Sequence, residues 1–182
     1  MENWSKTILS VYRYLEAISK AIDNLIVKKS INSAFYNNGR FNNAYDCANE
    51  IIDLTERKVN LINLKVLIEN SLKKLEPLQR KVLTLTYIDN VSRENVCEVL
   101  EISTRSYFRK KAEGIKNFGK ILYAMGYDSK KIHSTFESEK WLIALYNRNS
   151  CEECPKCKQI VVDDYKFINN IIKKYDFVTQ TV

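Results

Sequence analysis

The chain has 182 residues, 45% of them hydrophobic, which is enough to close a core and excludes wholesale disorder. Its four Gly and two Pro are too few for the many turns of a sandwich or barrel, so the expected class is all-α. A formal net charge of +7 attracts phosphate backbones and anionic lipid alike, and so admits nucleic acid as a partner without selecting it.

The first predicted element is a long helix. Trp4, Ile8, Val11, Leu15, Ile18, Ile22 and Leu25 alternate spacings of four and three, which places them on one stripe. The stripe suits burial inside one chain, with a seam between two copies as the alternative. From Lys28 to Asn43 the pattern dissolves into Asn-rich sequence with Phe35, Tyr36 and Phe41 interleaved among Lys29 and Arg40. Such interleaving can stack on single-stranded nucleic acid, but a long connection tucked onto its neighbouring helices is the preferred reading.

A second long helix is expected from about Ala44 to Lys74. Ala48, Ile52, Val59, Ile62 and Val66 repeat at helical spacing, and Ile51, Leu54, Leu61 and Leu67 widen the apolar face. Residues 1–74 thus read as an N-terminal pair of antiparallel helices.

Residues 75–125 read as a separate domain of three shorter helices. Pro77 suits a first helical turn, where its missing N–H costs nothing. Leu78, Val82, Leu85 and Ile88 form that helix's inner face, and Asp89-Asn90 ends it. Ser92 caps the next helix, whose apolar face is Val96, Val99 and Leu100, with Cys97 where two helices approach. Glu101-Ile102-Ser103 makes the turn. Ile102 plugs the angle, and Ser103 caps a third helix that buries Tyr107, Ile115, Phe118 and Leu122. Two short helices joined by a tight turn, the second basic, follow the helix-turn-helix plan.

The third helix carries Thr104, Arg105, Arg109, Lys110, Lys111, Lys116 and Lys120, with Glu113 as its one acid. So many charges cannot all be buried. The N-terminal end of a recognition helix meets base edges, which singles out Thr104, Arg105 and Arg109. Lys110, Lys111 and Lys116 fall nearer the phosphates. Ser92 and Arg93, at the start of the preceding helix, complete the candidate DNA contacts. A merely solvated basic face is the alternative.

Leu75 through Tyr87 resembles the opening of sigma-factor region 4, with its Leu, its Pro and a run carried here by Arg80, Val82, Leu83, Leu85 and Tyr87. Ser103 through Arg109, including Arg105, Ser106, Tyr107 and Phe108, resembles ArpU-type regulators, phage-associated relatives of region 4 in Gram-positive bacteria. The resemblance implies a transcription regulator that also touches RNA polymerase. Glu101 stands where many such domains carry Gly, so the turn must accept a non-Gly residue, with positive φ as the conformation to look for. Lys110 stands where region 4 has an apolar residue. Residues 1–74 show no region 2, which argues against a complete promoter-melting sigma factor.

The remaining residues, 126–182, read as a short helical extension. Asp128-Ser129 and Ser138 are candidate caps, and Trp141, Leu142, Leu145 and Tyr146 suit a helix packed back on the domain. Asp163 to Lys174 offers a last helix. Cys151, Cys154 and Cys157 form two overlapping Cys-x-x-Cys spacings, three of the four ligands a zinc ion wants, with His133, Cys47 or Cys97 as sources of a fourth. An iron–sulfur site faces the same shortage, and free thiols in an unstructured tail are the preferred alternative.

No apolar run reaches the length of a membrane span, and the start has no basic-then-apolar leader. Five cysteines, an odd number with two isolated, make a poor disulfide framework and fit a reducing cytoplasm. One histidine, no Gly-rich phosphate loop and no motif-placed carboxylate pair argue against an enzyme. The expectation is a sequence-specific regulator binding double-stranded DNA. The alternative is a helical interaction adaptor, anti-sigma or polymerase-binding, with no DNA readout.

Overall fold

The computed structural model describes residues 1–35 and 42–150. Among these the chain is built from seven α-helices and no strand: α1 (Glu2–Phe35), α2 (Asn42–Lys73), α3 (Pro77–Leu83), α4 (Arg93–Val99), α5 (Thr104–Ala124), α6 (Ser129–Thr135) and α7 (Lys140–Ser150). A π-helical turn, Thr84–Ile88, extends α3. None of the described helices is long and apolar enough to cross a membrane. The expected last helix at Asp163 to Lys174 lies outside the described residues.

The all-α expectation holds, and the long N-terminal helices are present. The stripe of α1 is buried along its whole length from Trp4 to Leu25, so it cannot be a seam between copies. Rather than dissolving at Lys28, α1 continues to Phe35. The pattern fades there because Val27 and Ile31 turn outward, not because the helix stops.

On α2 the expected inner face holds in part. Leu54, Leu61 and Leu67 are buried as expected, together with Leu64, Ile68 and Leu72, whereas Ile52, Val59, Ile62 and Val66 are exposed. The helix carries two apolar stripes at helical spacing, one largely β-branched and one largely leucine. Periodicity reports both and cannot choose between them.

By compactness the described chain divides into two units. One holds residues 14–63, and the other holds residues 1–13 with 64–150. In the first unit α1 and α2 run antiparallel, with Lys58 Nζ 2.6 Å from Asp23 and Lys29 bonded to Glu50.

In the second unit, Tyr12 donates to Glu69 at 2.7 Å. Trp4 is stacked on Tyr146 at 4.1 Å and meets His133 edge-on, and Asn149 donates to Thr7 at 3.0 Å. The start of α1 is therefore part of the same core as α6 and α7. Trp141, Leu142 and Leu145 are buried as expected. Asp128 caps α6, accepting from Lys131 N at 2.7 Å.

Helix α5 is the central element of this unit. Tyr107, Ile115, Phe118 and Leu122 fill its inner face. Gly114 and Gly119 let it lie close to its neighbours: a β-carbon at Gly114 would stand 3.2 Å from Leu83, and one at Gly119 would stand 2.8 Å from Ser5 Oγ. The helix stops in a Schellman turn, with Gly126 at φ 83° and Tyr127 N donating to Leu122 O at 2.9 Å.

Candidate nucleic-acid interface

The segment from α3 to α5 is built by local chain chemistry. Asp89 N bonds Thr84 O at 3.0 Å, closing the π-helical turn, and Asn90 then takes φ 53°. Asn tolerates that left-handed conformation better than most residues, so the chain reverses here. Ser92 caps α4, its hydroxyl accepting from Asn95 N at 3.3 Å. Ser103 caps α5, accepting from Ser106 N at 3.2 Å.

Between the caps, Glu101 N donates to Glu98 O at 3.1 Å and Ile102 N donates to Cys97 O at 3.0 Å. This is the hydrogen-bond pattern that glycine usually completes. Glu101 completes it instead, with φ 51°, the positive φ that its place in the sequence had raised. Ile102 is half-buried and packs on a cluster of Val82, Val96 and Tyr107, joined by Leu85, Val91, Cys97 and Leu100. Val99 departs from expectation. It is 66% exposed, because the short α4 turns only Val96 fully inward.

Tyr107 ties α5 to the π-helical turn: its hydroxyl lies 3.2 Å from that of Thr86. Lys111 lies over the rings of Tyr87 and Tyr107, at 5.0 and 5.8 Å. Lys110 reaches Glu76 at 3.3 Å and Glu113 at 3.7 Å, with its side chain only 19% exposed. These two lysines, expected near phosphates, are thus engaged on the flank of α5. Asn117 donates to Gln79 at 3.1 Å, a second tie from α5 to α3.

The remaining face of α5 points outward. Thr104, Arg105, Phe108, Arg109, Lys116 and Lys120 are exposed. Among the described residues no ion pair holds Arg105, Arg109, Lys116 or Lys120. Arg93, on α4, bonds Glu94 and rests 5.9 Å from the centre of the Phe108 ring. The Glu94 carboxyl is held below its ordinary range by its own backbone N–H and then by Arg93, so part of the Arg93 charge is offset locally. Phe108 enters the sequence reading only within the run that resembles ArpU-type regulators, not as a candidate contact. The signal was present: adjacent aromatics on a helix differ by about 100°, so Tyr107 and Phe108 cannot both face inward.

The candidate metal ligands Cys151, Cys154 and Cys157 lie outside the described residues. Among the described residues no group of three or more His, Cys, Asp or Glu could hold a metal ion.

Residues 46–119, less than half of the chain, match the model of a family described as "Protein of unknown function (DUF1492)". The match takes in most of α2, all of α3 and α4, and most of α5. No curated protein and no solved structure matches the chain.

Proposed function

We propose that this protein is a sequence-specific DNA-binding transcription regulator of sigma region 4-like or ArpU type, acting by binding rather than catalysis. In this reading α5 enters the major groove. Thr104, Arg105 and Arg109 address base edges from its N-terminal part, while Lys116 and Lys120 address phosphates. The observation that carries the reading is the two-sidedness of α5. One face is filled by Tyr107, Ile115, Phe118 and Leu122, and the other presents unpaired cations. Capped helices on both sides of a tight turn support it. Lys110 and Lys111 drop to supporting roles, because both are already engaged.

The test is selection of duplexes from a random library by the full chain, followed by titration of the enriched and random sequences at two salt concentrations. A regulator of this kind binds its site on the order of a thousandfold or more tighter than random DNA and loses affinity steeply with salt. Failure to enrich any sequence overturns the reading.

A second reading, an adaptor that docks on RNA polymerase or another protein, is favoured by one feature. A cleft of about 400 Å³ is lined by Arg80, Lys81, Thr84, Leu85, Val99 and Leu100, and Val99 lies open beside it. A contact there is compatible with DNA readout by α5.

A further inference from the structure

We propose that Phe108 is a specificity determinant that reads the 5-methyl group of thymine. The inference rests on the major-groove reading of α5 and adds to it a base preference that the cations do not supply.

Phe108 is 52% exposed on a helix face that also presents Thr104, Arg105, Arg109 and Lys116. It stands one helical turn after Thr104, between Arg105 and Arg109, among the positions that a recognition helix turns toward bases. Its ring is positioned from two sides. Tyr107, buried at 3% exposure, meets it edge-on at 5.3 Å and 71°. The Arg93 guanidinium rests against it from α4. The ring is therefore backed by the anchored Tyr107 and flanked by the half-exposed Arg93, while its outer part stays in solvent.

An aromatic ring left in water forgoes the gain of burial. The inner face of α5 is already filled, so Phe108 has no place in the core to move to. In the major groove most base-edge groups are polar donors or acceptors, and the 5-methyl, where cytosine carries only a hydrogen, is the apolar mark that distinguishes thymine. An apolar side chain flanked by two arginines matches a thymine beside guanines, which present O6 and N7 to arginine.

The experiment uses the duplex enriched by the full chain and replaces each thymine in turn by deoxyuridine, which lacks only the methyl group. At one or two positions the wild type loses roughly fourfold in affinity, the worth of one buried methyl. In Phe108→Ala that deoxyuridine effect disappears, whereas in Phe108→Leu, which keeps an apolar contact, part of it remains. Arg105→Ala weakens binding but keeps the deoxyuridine effect. Far-UV circular dichroism checks each variant, and the wild-type titration stands even if one variant misfolds. Site-specific binding that is indifferent to deoxyuridine everywhere overturns the role of Phe108 and leaves the function intact. So does a deoxyuridine effect that persists in Phe108→Ala. Absence of any site-specific binding overturns both.

Discussion

Ser5 and Gly119 meet where the first turns of α1 cross α5: a β-carbon on Gly119 would stand 2.8 Å from Ser5 Oγ, which itself donates to Met1 O at 3.1 Å. Helix propensity favours Ala over Gly by about 1 kcal/mol, and overpacking costs about 1–3 kcal/mol. In the wild-type background Gly119→Ala is therefore neutral to destabilising. Once Ser5→Ala removes the hydroxyl, Gly119→Ala becomes neutral to stabilising. A double-mutant cycle in urea is expected to show coupling of about 1 kcal/mol or more between the two sites. Additive effects contradict the close approach.

The turn between α4 and α5 places Glu101 at φ 51°. A left-handed non-Gly residue costs about 1–2 kcal/mol, while Gly carries an entropic penalty of about 0.5–1 kcal/mol. Glu101→Gly is expected to stabilise the protein by about 0.5–1 kcal/mol. Glu101→Val, β-branched, is expected to destabilise it. Thermal unfolding of the two variants checks the opposite signs.

Ile102 and Val99 are both apolar and only three residues apart, yet one packs on the cluster of Val82, Val96 and Tyr107 and the other is open. Ile102→Asp brings an unpaired carboxylate against that cluster and is expected to cost about 2 kcal/mol or more. Val99→Ser is expected to stay within about 0.5 kcal/mol of wild type, as for an ordinary surface position. Equal losses in the two variants contradict the placement of the turn.

Much of this architecture is legible in the residues, and the exceptions have physical causes. The α1 stripe could be read because only one face of that helix is apolar between Trp4 and Leu25. Ser92 and Ser103 could be read as caps because a hydroxyl before a helical segment has one local use. The inner face of α2 could be read only in part, since Ile52, Val59, Ile62 and Val66 compete with the leucines at the same period. The π-helical turn at Thr84–Ile88 leaves no local mark in a Thr-Leu-Thr-Tyr-Ile run. In the candidate site, charge and position single out Arg105 and Arg109, and both are exposed. Lys110 was not separated from Lys116, because its partner Glu76 lies 34 residues away in sequence.

Lys110 and Lys116 differ in a way that binding can reveal. Lys116 is exposed, whereas Lys110 is drawn toward Glu76 and Glu113. Lys116→Ala is expected to weaken specific and random DNA alike and to lower the salt slope by about one unit. Lys110→Ala is expected to leave that slope nearly unchanged. Titrations across a salt series distinguish the two, and a larger slope change for Lys110→Ala reverses the assignment.

The central claim is that α5 reads duplex DNA through Arg105 and Arg109. Its most direct test is the affinity of the full chain for its enriched duplex, compared with that of Arg105→Ala and Arg109→Ala, each checked for folding by circular dichroism. Each variant is expected to lose about 1–3 kcal/mol on the specific duplex and less on random DNA. Folded variants that bind the specific duplex as tightly as wild type contradict the claim.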